Sequence, residues 1–243
     1  MWKAARYTCA KPAIFFRARL SAVFCGRRSE TVVIGTDMPT QASPKLKIRE
    51  EVAAFKRERT IGVACDLFYE KGYVNATLDD VADRLSVTKP FIYANFGSKN
   101  ELLAEICHRG VLAAKLSLDE VVDFQLGPRD TLRLFLDRYV KSILKHQKNI
   151  AVYTREEKNL APEDSRALAE LRKGFVAQLT EVLAEGEKRG EFKIVDPGMT
   201  ALAIVGSVSW STFWYHPGGR LEIDDIGKSM TEMLMGMAGA QTG

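Results

Sequence analysis

From Leu46 to Met237 the apolar residues of this chain recur every three to four positions. No stretch of useful length alternates with the period of two that a half-buried strand needs. That pattern restricts the chain to helices, whose side chains return to one face after about 3.6 residues. The stripe is clear at Ile61, Ala64, Cys65 and Phe68, at Leu78, Val81, Ala82 and Leu85, and at Leu132, Phe135, Leu136, Tyr139, Val140 and Ile143. It continues at Leu168, Leu171, Phe175, Leu179, Val182 and Leu183. The punctuation agrees. Gly72 stops the first helix, Thr77 caps the second, and Ser98 and Glu101 form a capping box. Helices are expected over 46–71, from Thr77, over 88–95, 98–116, from Pro128, over 149–159, 162–189, 198–215 and 223–237. The expected fold class is all-α.

Composition adds exclusions. With 46% hydrophobic and 27% charged residues in 243, the chain is neither collagen-like nor a disordered tract, and one or two domains fit its length. Net charge is +4, but residues 1–37 alone carry seven Lys/Arg against Glu30 and Asp37. The body is thus close to neutral, and a case for nucleic acid has to come from local sequence. Residues 1–45 read as an extension, with Met38 as the expected start of the native chain and Met38–Lys45 as a linker. Cys9, Cys25, Cys65 and Cys107 form no C-x-x-C pair, and only three histidines are present, so neither a disulfide framework nor a metal site is expected. Gly198–Tyr215 is uncharged, yet seven of its eighteen residues are Gly, Ser or Thr. That is too short and too polar for a span, and a helix buried on nearly all sides is expected.

The chemistry-bearing stretch is 77–96, two helices joined by a very tight turn. Ala82 is small where crossing helices would touch, Val87 can plug the turn, and Ile92 and Phe96 face the same core. Lys89, Phe91, Tyr93, Ala94 and Asn95 are left outward. No acidic residue lies between Arg84 and Asn100, as a phosphate-facing surface requires. This is a helix-turn-helix layout, whose second helix enters the major groove.

The run from Thr77 to Lys99 (TLDDVADRLSVTKPFIYANFGSK), then Glu101-Leu102-Leu103, resembles the DNA-binding signature of the TetR family of transcriptional repressors. Ile61, Ala64, Cys65, Phe68, Gly72 and Tyr73 are similar to that family's first helix. The resemblance implies a helix-turn-helix DNA-binding domain over 46–116 and a larger helical ligand-binding and dimerisation domain over 117–243. It makes Thr77, Tyr93, Asn95 and Lys99 phosphate contacts and puts Thr88, Lys89, Pro90 and Phe91 nearest the base edges. Two departures stand out. Ser86 occupies a turn position usually held by Gly, so its backbone either avoids positive φ or is mildly strained. Asn95 stands where His is usual. The implied assembly is a homodimer on double-stranded DNA in the cytoplasm, since two recognition helices have to be held about 34–36 Å apart to read successive major grooves. Its bundle would come from the last two helices, with Gly206 and Ser209 permitting close approach and Met230, Leu234 and Met237 as an apolar stripe.

The aromatic run from Trp210 to Arg220, with Val152–Glu156 upstream, resembles the subgroup of that family linked to fatty-acid, steroid or aromatic-acid breakdown. That resemblance implies an acyl-coenzyme A as small-molecule effector. A cavity between the helices near 128–215 would be walled by Tyr139, Tyr153, Phe175, Trp210 and Phe213. Arg155 would meet an anion at its mouth, or else pair with Glu156 or Glu157. The function expected is a repressor released by its ligand; an activator or a ligand-independent regulator are alternatives. From another class, a Ser/Lys hydrolase would use Ser86-Val87-Thr88-Lys89, but Ser142-Ile143-Leu144-Lys145 shows how readily that spacing recurs, and its companion motifs are absent. Neither catalytic residues nor a cofactor are expected.

Overall fold

The computed structural model describes residues 44–240, which among themselves form nine α-helices and one 3-10 turn with no strand. The expected extension lies outside the described residues, apart from Pro44 and Lys45 at the start of the first helix. The helices are α1 (Pro44–Lys71), α2 (Leu78–Leu85), α3 (Lys89–Phe96), α4 (Lys99–Val122), α5 (Pro128–Lys145), α6 (Gln147–Glu156), α7 (Pro162–Lys188), α8 (Pro197–Trp214) and α9 (Ile223–Met237). The 3-10 turn Glu157–Asn159 follows α6.

Local chemistry sets the boundaries. Gly72, at φ 78°, lets the chain turn left-handed after α1. Thr77 closes a full capping box on α2: its hydroxyl accepts from the Asp80 N–H at 3.1 Å, and the Asp80 carboxylate accepts from the Thr77 N–H at 2.7 Å. Ser98 accepts from the Glu101 N–H at 3.1 Å, but the Glu101 carboxylate takes the Ser98 hydroxyl rather than its N–H. Asp196 accepts from the Met199 N–H and starts α8. The fourth helix runs six residues beyond the expected Leu116, because Leu118 and Val121 still have a core to enter.

Ser86 settles the question its identity raised. It sits at φ 55°, ψ 43°, left-handed, and the adjacent Val87 N–H bonds back to the Ala82 carbonyl at 3.0 Å. A side chain in that region costs roughly 1–2 kcal/mol. Ser86→Gly is therefore expected to stabilise the protein by about 1 kcal/mol, after the added flexibility of the unfolded chain is offset. Urea denaturation of the two proteins checks this, and an unchanged or lower midpoint for the Gly variant refutes it.

Two apolar cores share α4. One joins Ile61, Phe68, Val81, Ala82, Ile92, Phe96, Leu102, Leu103 and Ile106 to Val152, Tyr153, Leu160 and Leu168. The other collects Leu118, Leu132, Phe135, Leu136, Tyr139, Phe175, Leu179, Leu183, Ile204, Val208 and Leu234. The expectation for 198–215 is corrected here. Only one face of α8 is covered, by way of Ala201, Ile204, Val208, Ser211 and Thr212, while Met199, Leu202, Trp210, Phe213 and Trp214 are exposed. The expected stripe on the last helix shifts likewise. Met230 and Leu234 are buried in their own core, and Met233 and Met237 face out.

Candidate nucleic-acid interface

The helix-turn-helix is built from the inside outward. Val81 and Ala82 of α2 and Ile92 and Phe96 of α3 are buried together with Ile61, Phe68 and Leu102. Burying those α3 residues turns Thr88, Lys89, Pro90, Tyr93, Ala94 and Asn95 to solvent. Phe91 is half-buried, packed on the core with the Lys56 ammonium 5.7 Å from its ring centre. Thr77 is exposed beside this face, at the N-terminus of α2. The face that sequence singled out is thus held on a rigid core.

Its charges are more fully occupied than the local sequence suggests. The Lys89 ammonium meets the Asp79 carboxylate at 2.5 Å, which raises the lysine's pKa. Lys71 pairs with Asp80 at 2.8 Å, and Arg84 with Glu70 at 3.0 Å. The Asp80 carboxyl is held far below the usual carboxylate range, by Lys71 first and by Thr77 next. Acid missing from the run 85–99 is returned in space by α1 and α2. Lys99 lies 4.3 Å from the centre of the Tyr73 ring and donates to the Val74 carbonyl at 3.3 Å. Burial there lowers its pKa below the ordinary lysine value. Asn95 donates its side-chain N–H to the Phe91 carbonyl at 2.7 Å. Sequence reasoning missed Asp79 as a partner of Lys89, and it missed Arg57. The Arg57 guanidinium stacks 4.7 Å from the Phe96 ring and donates to the Asn95 carbonyl and to Glu105. No sequence signal links residues 38 apart.

The structure does not bring the six expected ligand contacts together. Tyr139 and Phe175 are buried and fill their own space with Phe135, at ring separations of 5.1 to 6.0 Å. Burial raises the Tyr139 pKa, while Ser209 hydrogen-bonds its hydroxyl. Tyr153 lies in the other core; its hydroxyl donates to Glu157 at 3.0 Å and accepts from Arg172 at 2.9 Å, and burial pushes its pKa up to about 12. Trp210 and Phe213 lie on the open face of α8, their ring centres 4.7 Å apart. Arg155 pairs with neither Glu156 nor Glu157. It donates to the Ala151 and Tyr69 carbonyls, each at 3.2 Å, and stacks on the Tyr69 ring of α1. Glu156 accepts from the Tyr73 N–H at 3.2 Å, and Lys148 pairs with Asp66 at 2.5 Å, so three side chains of α6 are tied to α1 and its following turn. One cleft of about 390 Å³ opens between α1 and α3 and another of about 380 Å³ between α1, α4 and α6. None of the six residues lines either.

An all-α chain that presents a tight helix-turn-helix with one solvent-facing recognition helix defines the class of DNA-binding regulators. Residues 61–106 match the model for bacterial regulatory proteins of the tetR family, and residues 125–238 match that for a tetracyclin repressor-like C-terminal domain. The chain is 28% identical over 183 residues to the HTH-type transcriptional repressor KstR2 of Rhodococcus jostii, covering 74% of this chain and 89% of that one. A transcriptional regulator of the TetR/AcrR family from Thermobifida fusca is 30% identical, with a TM-score of 0.60 over 77% of this chain and 99% of that one. The structure of AibR in complex with isovaleryl coenzyme A and operator DNA shares the fold, with 24% identity and a TM-score of 0.63 over 72% and 97%. The chain belongs to the TetR family of bacterial regulatory proteins. That family consists of DNA-binding transcriptional regulators, and among the described residues no helix is long and apolar enough to cross a membrane.

Proposed function

We propose that this protein is a homodimeric repressor that binds an operator through α3 and leaves it when a small effector binds. The observation that carries the reading is the solvent-facing row Thr88, Lys89, Pro90 and Tyr93 on a helix whose other side is anchored by Ile92 and Phe96. Residues 46–116 serve as the DNA-binding domain and 117–243 as the effector and dimer domain, with α4 common to both. Thr77, Tyr93, Asn95 and Lys99 contact phosphates; Thr88, Lys89, Pro90 and Phe91 lie at base edges. The protein works in the cytoplasm, where its DNA is. An acyl-coenzyme A is the effector class, on the subgroup resemblance and on the ligand carried by AibR. In this structure the five aromatics of the expected wall do not line one open cavity. Tyr139 and Phe175 would have to part to admit the effector, and the tie from α6 to α1 would carry the movement to the recognition helix. No catalytic step belongs to this reading. The Lys89 ammonium is held by Asp79 and the Ser142 hydroxyl donates to the Ala113 carbonyl, so neither S-x-x-K pair is arranged as a lysine-activated serine.

Substitutions test the DNA face. Lys99→Ala is expected to weaken binding about equally on all duplexes and to lower the salt slope by about 1 per half-site. Lys89→Ala should instead change base preference, by roughly 1–3 kcal/mol if it reads guanine bidentately. Band shifts on an operator selected from a random pool and on a scrambled duplex separate the two. Equal loss on both for Lys89→Ala ends its reading role. Release of the operator by acyl-coenzyme A esters of graded chain length tests the effector; no release by any of them ends that class.

A further inference from the structure

The two edges of α3 have different neighbours. Along one run Lys89 and Tyr93, one turn apart, and Lys89 meets Asp79 at the start of α2. Along the other run Thr88, Phe91 and Asn95, and this edge faces α1. Thr88 and Phe91 line the cleft of about 390 Å³ together with Lys56 and Arg59, and the Asn95 carbonyl accepts from Arg57 at 3.3 Å. The three α1 cations are not equivalent. Arg57 is spent on the fold, stacked on Phe96 and bonded to Glu105. Lys56 and Arg59 are one turn apart and exposed, and among the described residues neither is in an ion pair. The acid between them, Glu58, is turned onto Arg109 at 2.6 Å. The remaining wall of the cleft includes Leu85 and Val87, which bring no carboxylate to the two cations.

We propose that Lys56 and Arg59 form a second phosphate clamp, on the DNA strand opposite the one met by Thr77 and Lys99. This rests on the reading that α3 meets the major groove. A helix with its side chains is about 10–12 Å across and the groove is about 12 Å wide, so a sugar-phosphate backbone passes along each edge of an inserted helix. Thr77, at the start of α2, and Lys99, bonded to Val74 in the turn before it, serve the α2 edge. On the α1 edge Lys56 and Arg59 have heads that no carboxylate holds. Nothing has to be broken before they meet phosphate, whereas Lys89 and Arg84 first have to leave Asp79 and Glu70. Such contacts position the protein and carry no sequence information of their own.

Lys56→Met with Arg59→Met keeps apolar stems in the cleft and tests this in the full chain. The targets are a duplex that the wild-type protein selects from a random pool and a scrambled duplex of equal length, between 50 and 200 mM salt. Lys173→Met with Lys188→Met removes the same charge from exposed positions of α7 and is the control. The α1 variant is expected to lose at least about tenfold in affinity on both duplexes, with a salt slope lower by about 2 per protomer and the preference between duplexes kept within about threefold. Neutral methylphosphonates placed singly along each strand of the selected duplex then locate the contact. Wild type should be weakened at positions on both strands of a half-site. The α1 variant should become indifferent at positions on one strand, and Lys99→Ala at positions on the other. A loss of affinity with an unchanged slope and an unchanged methylphosphonate pattern would mean that α1 is merely structural, which overturns the proposal. A loss no greater than that of the α7 control overturns it too, because net charge alone would account for it. Should wild type select no duplex, the DNA-reading function falls and the clamp with it. Should it select one, and Lys99→Ala lose its own phosphates while the α1 variant binds as wild type does, the second clamp alone falls.

Discussion

Replacing Trp210 and Phe213 together by Glu will separate the two copies of the chain and lower operator affinity at least about 100-fold. Trp210 is 63% exposed and Phe213 51%, on an 18-residue helix. With Met199, Leu202 and Trp214 they recur at helical spacing along one open face, and Met233 and Met237 of α9 are exposed as well. An apolar surface of that kind is a place for a protein partner, and aromatic side chains dominate such contacts. The same face on a second copy supplies the partner, since a two-fold axis brings like surface to like. Joining two recognition helices makes the second half-site an intramolecular event, a gain of roughly 10²–10⁴ in avidity that dissociation removes. Four carboxylates, two from each copy, would have to be desolvated together, which the interface cannot accommodate. Sedimentation at several concentrations and a band shift check both parts. Because both positions are open on the single chain, far-UV circular dichroism should stay near wild type, and Leu202→Lys provides a milder second probe. A variant that remains dimeric and keeps its operator refutes the interface.

The open face of α8 also shows where sequence reading stops. A run such as Gly198–Tyr215 is apolar on every side, so periodicity says helix but not which side the chain itself covers. Both the membrane question and the expected ligand wall grew from that ambiguity. Caps and breakers were legible because their chemistry is local: Thr77, Ser98, Gly72 and Pro128 act within four residues of themselves. The inward side of α3 was legible for the same reason, since Ile92 and Phe96 are one turn apart. Partnerships across the fold were not. Asp79 with Lys89 is separated by ten positions, and Arg155 with Tyr69 by 86. Arg155 has acidic neighbours in sequence and none of them holds it, because the helix turns it toward α1. Ser86 lies between the two cases. Its identity raised the alternative of strain, and only backbone geometry shows that the strain is present.

Phe68→Ala is expected to destabilise the protein by about 3–5 kcal/mol and to do so in one cooperative transition. The side chain is fully buried and meets the Tyr73 ring edge-on, with ring centres 5.3 Å apart. Its removal leaves a cavity at the heart of the helix-turn-helix core, and the surroundings can close it only partly. A helix-turn-helix appended to an independent bundle would melt by itself, giving two steps of which only the first moves. This arrangement differs. The core around Phe68 includes Val152, Tyr153, Leu160 and Leu168 from beyond α4, and α4 places Leu102, Leu103 and Ile106 in one core and Leu118 and Val121 in the other. Lys148, Arg155 and Glu156 add polar ties from α6 to α1 and its following turn. Loosening one core therefore withdraws support from the other. Phe135→Ala, a comparable deletion in the second core, should shift the same single transition by a similar amount. Calorimetry at fixed protein concentration tests this, because dimerisation makes the melting temperature depend on concentration. Agreement of calorimetric and van't Hoff enthalpies in both variants supports a shared unit. A second transition left in place by Phe68→Ala would show that the recognition helix unfolds without consulting α6, and would remove the mechanical basis for release by an effector.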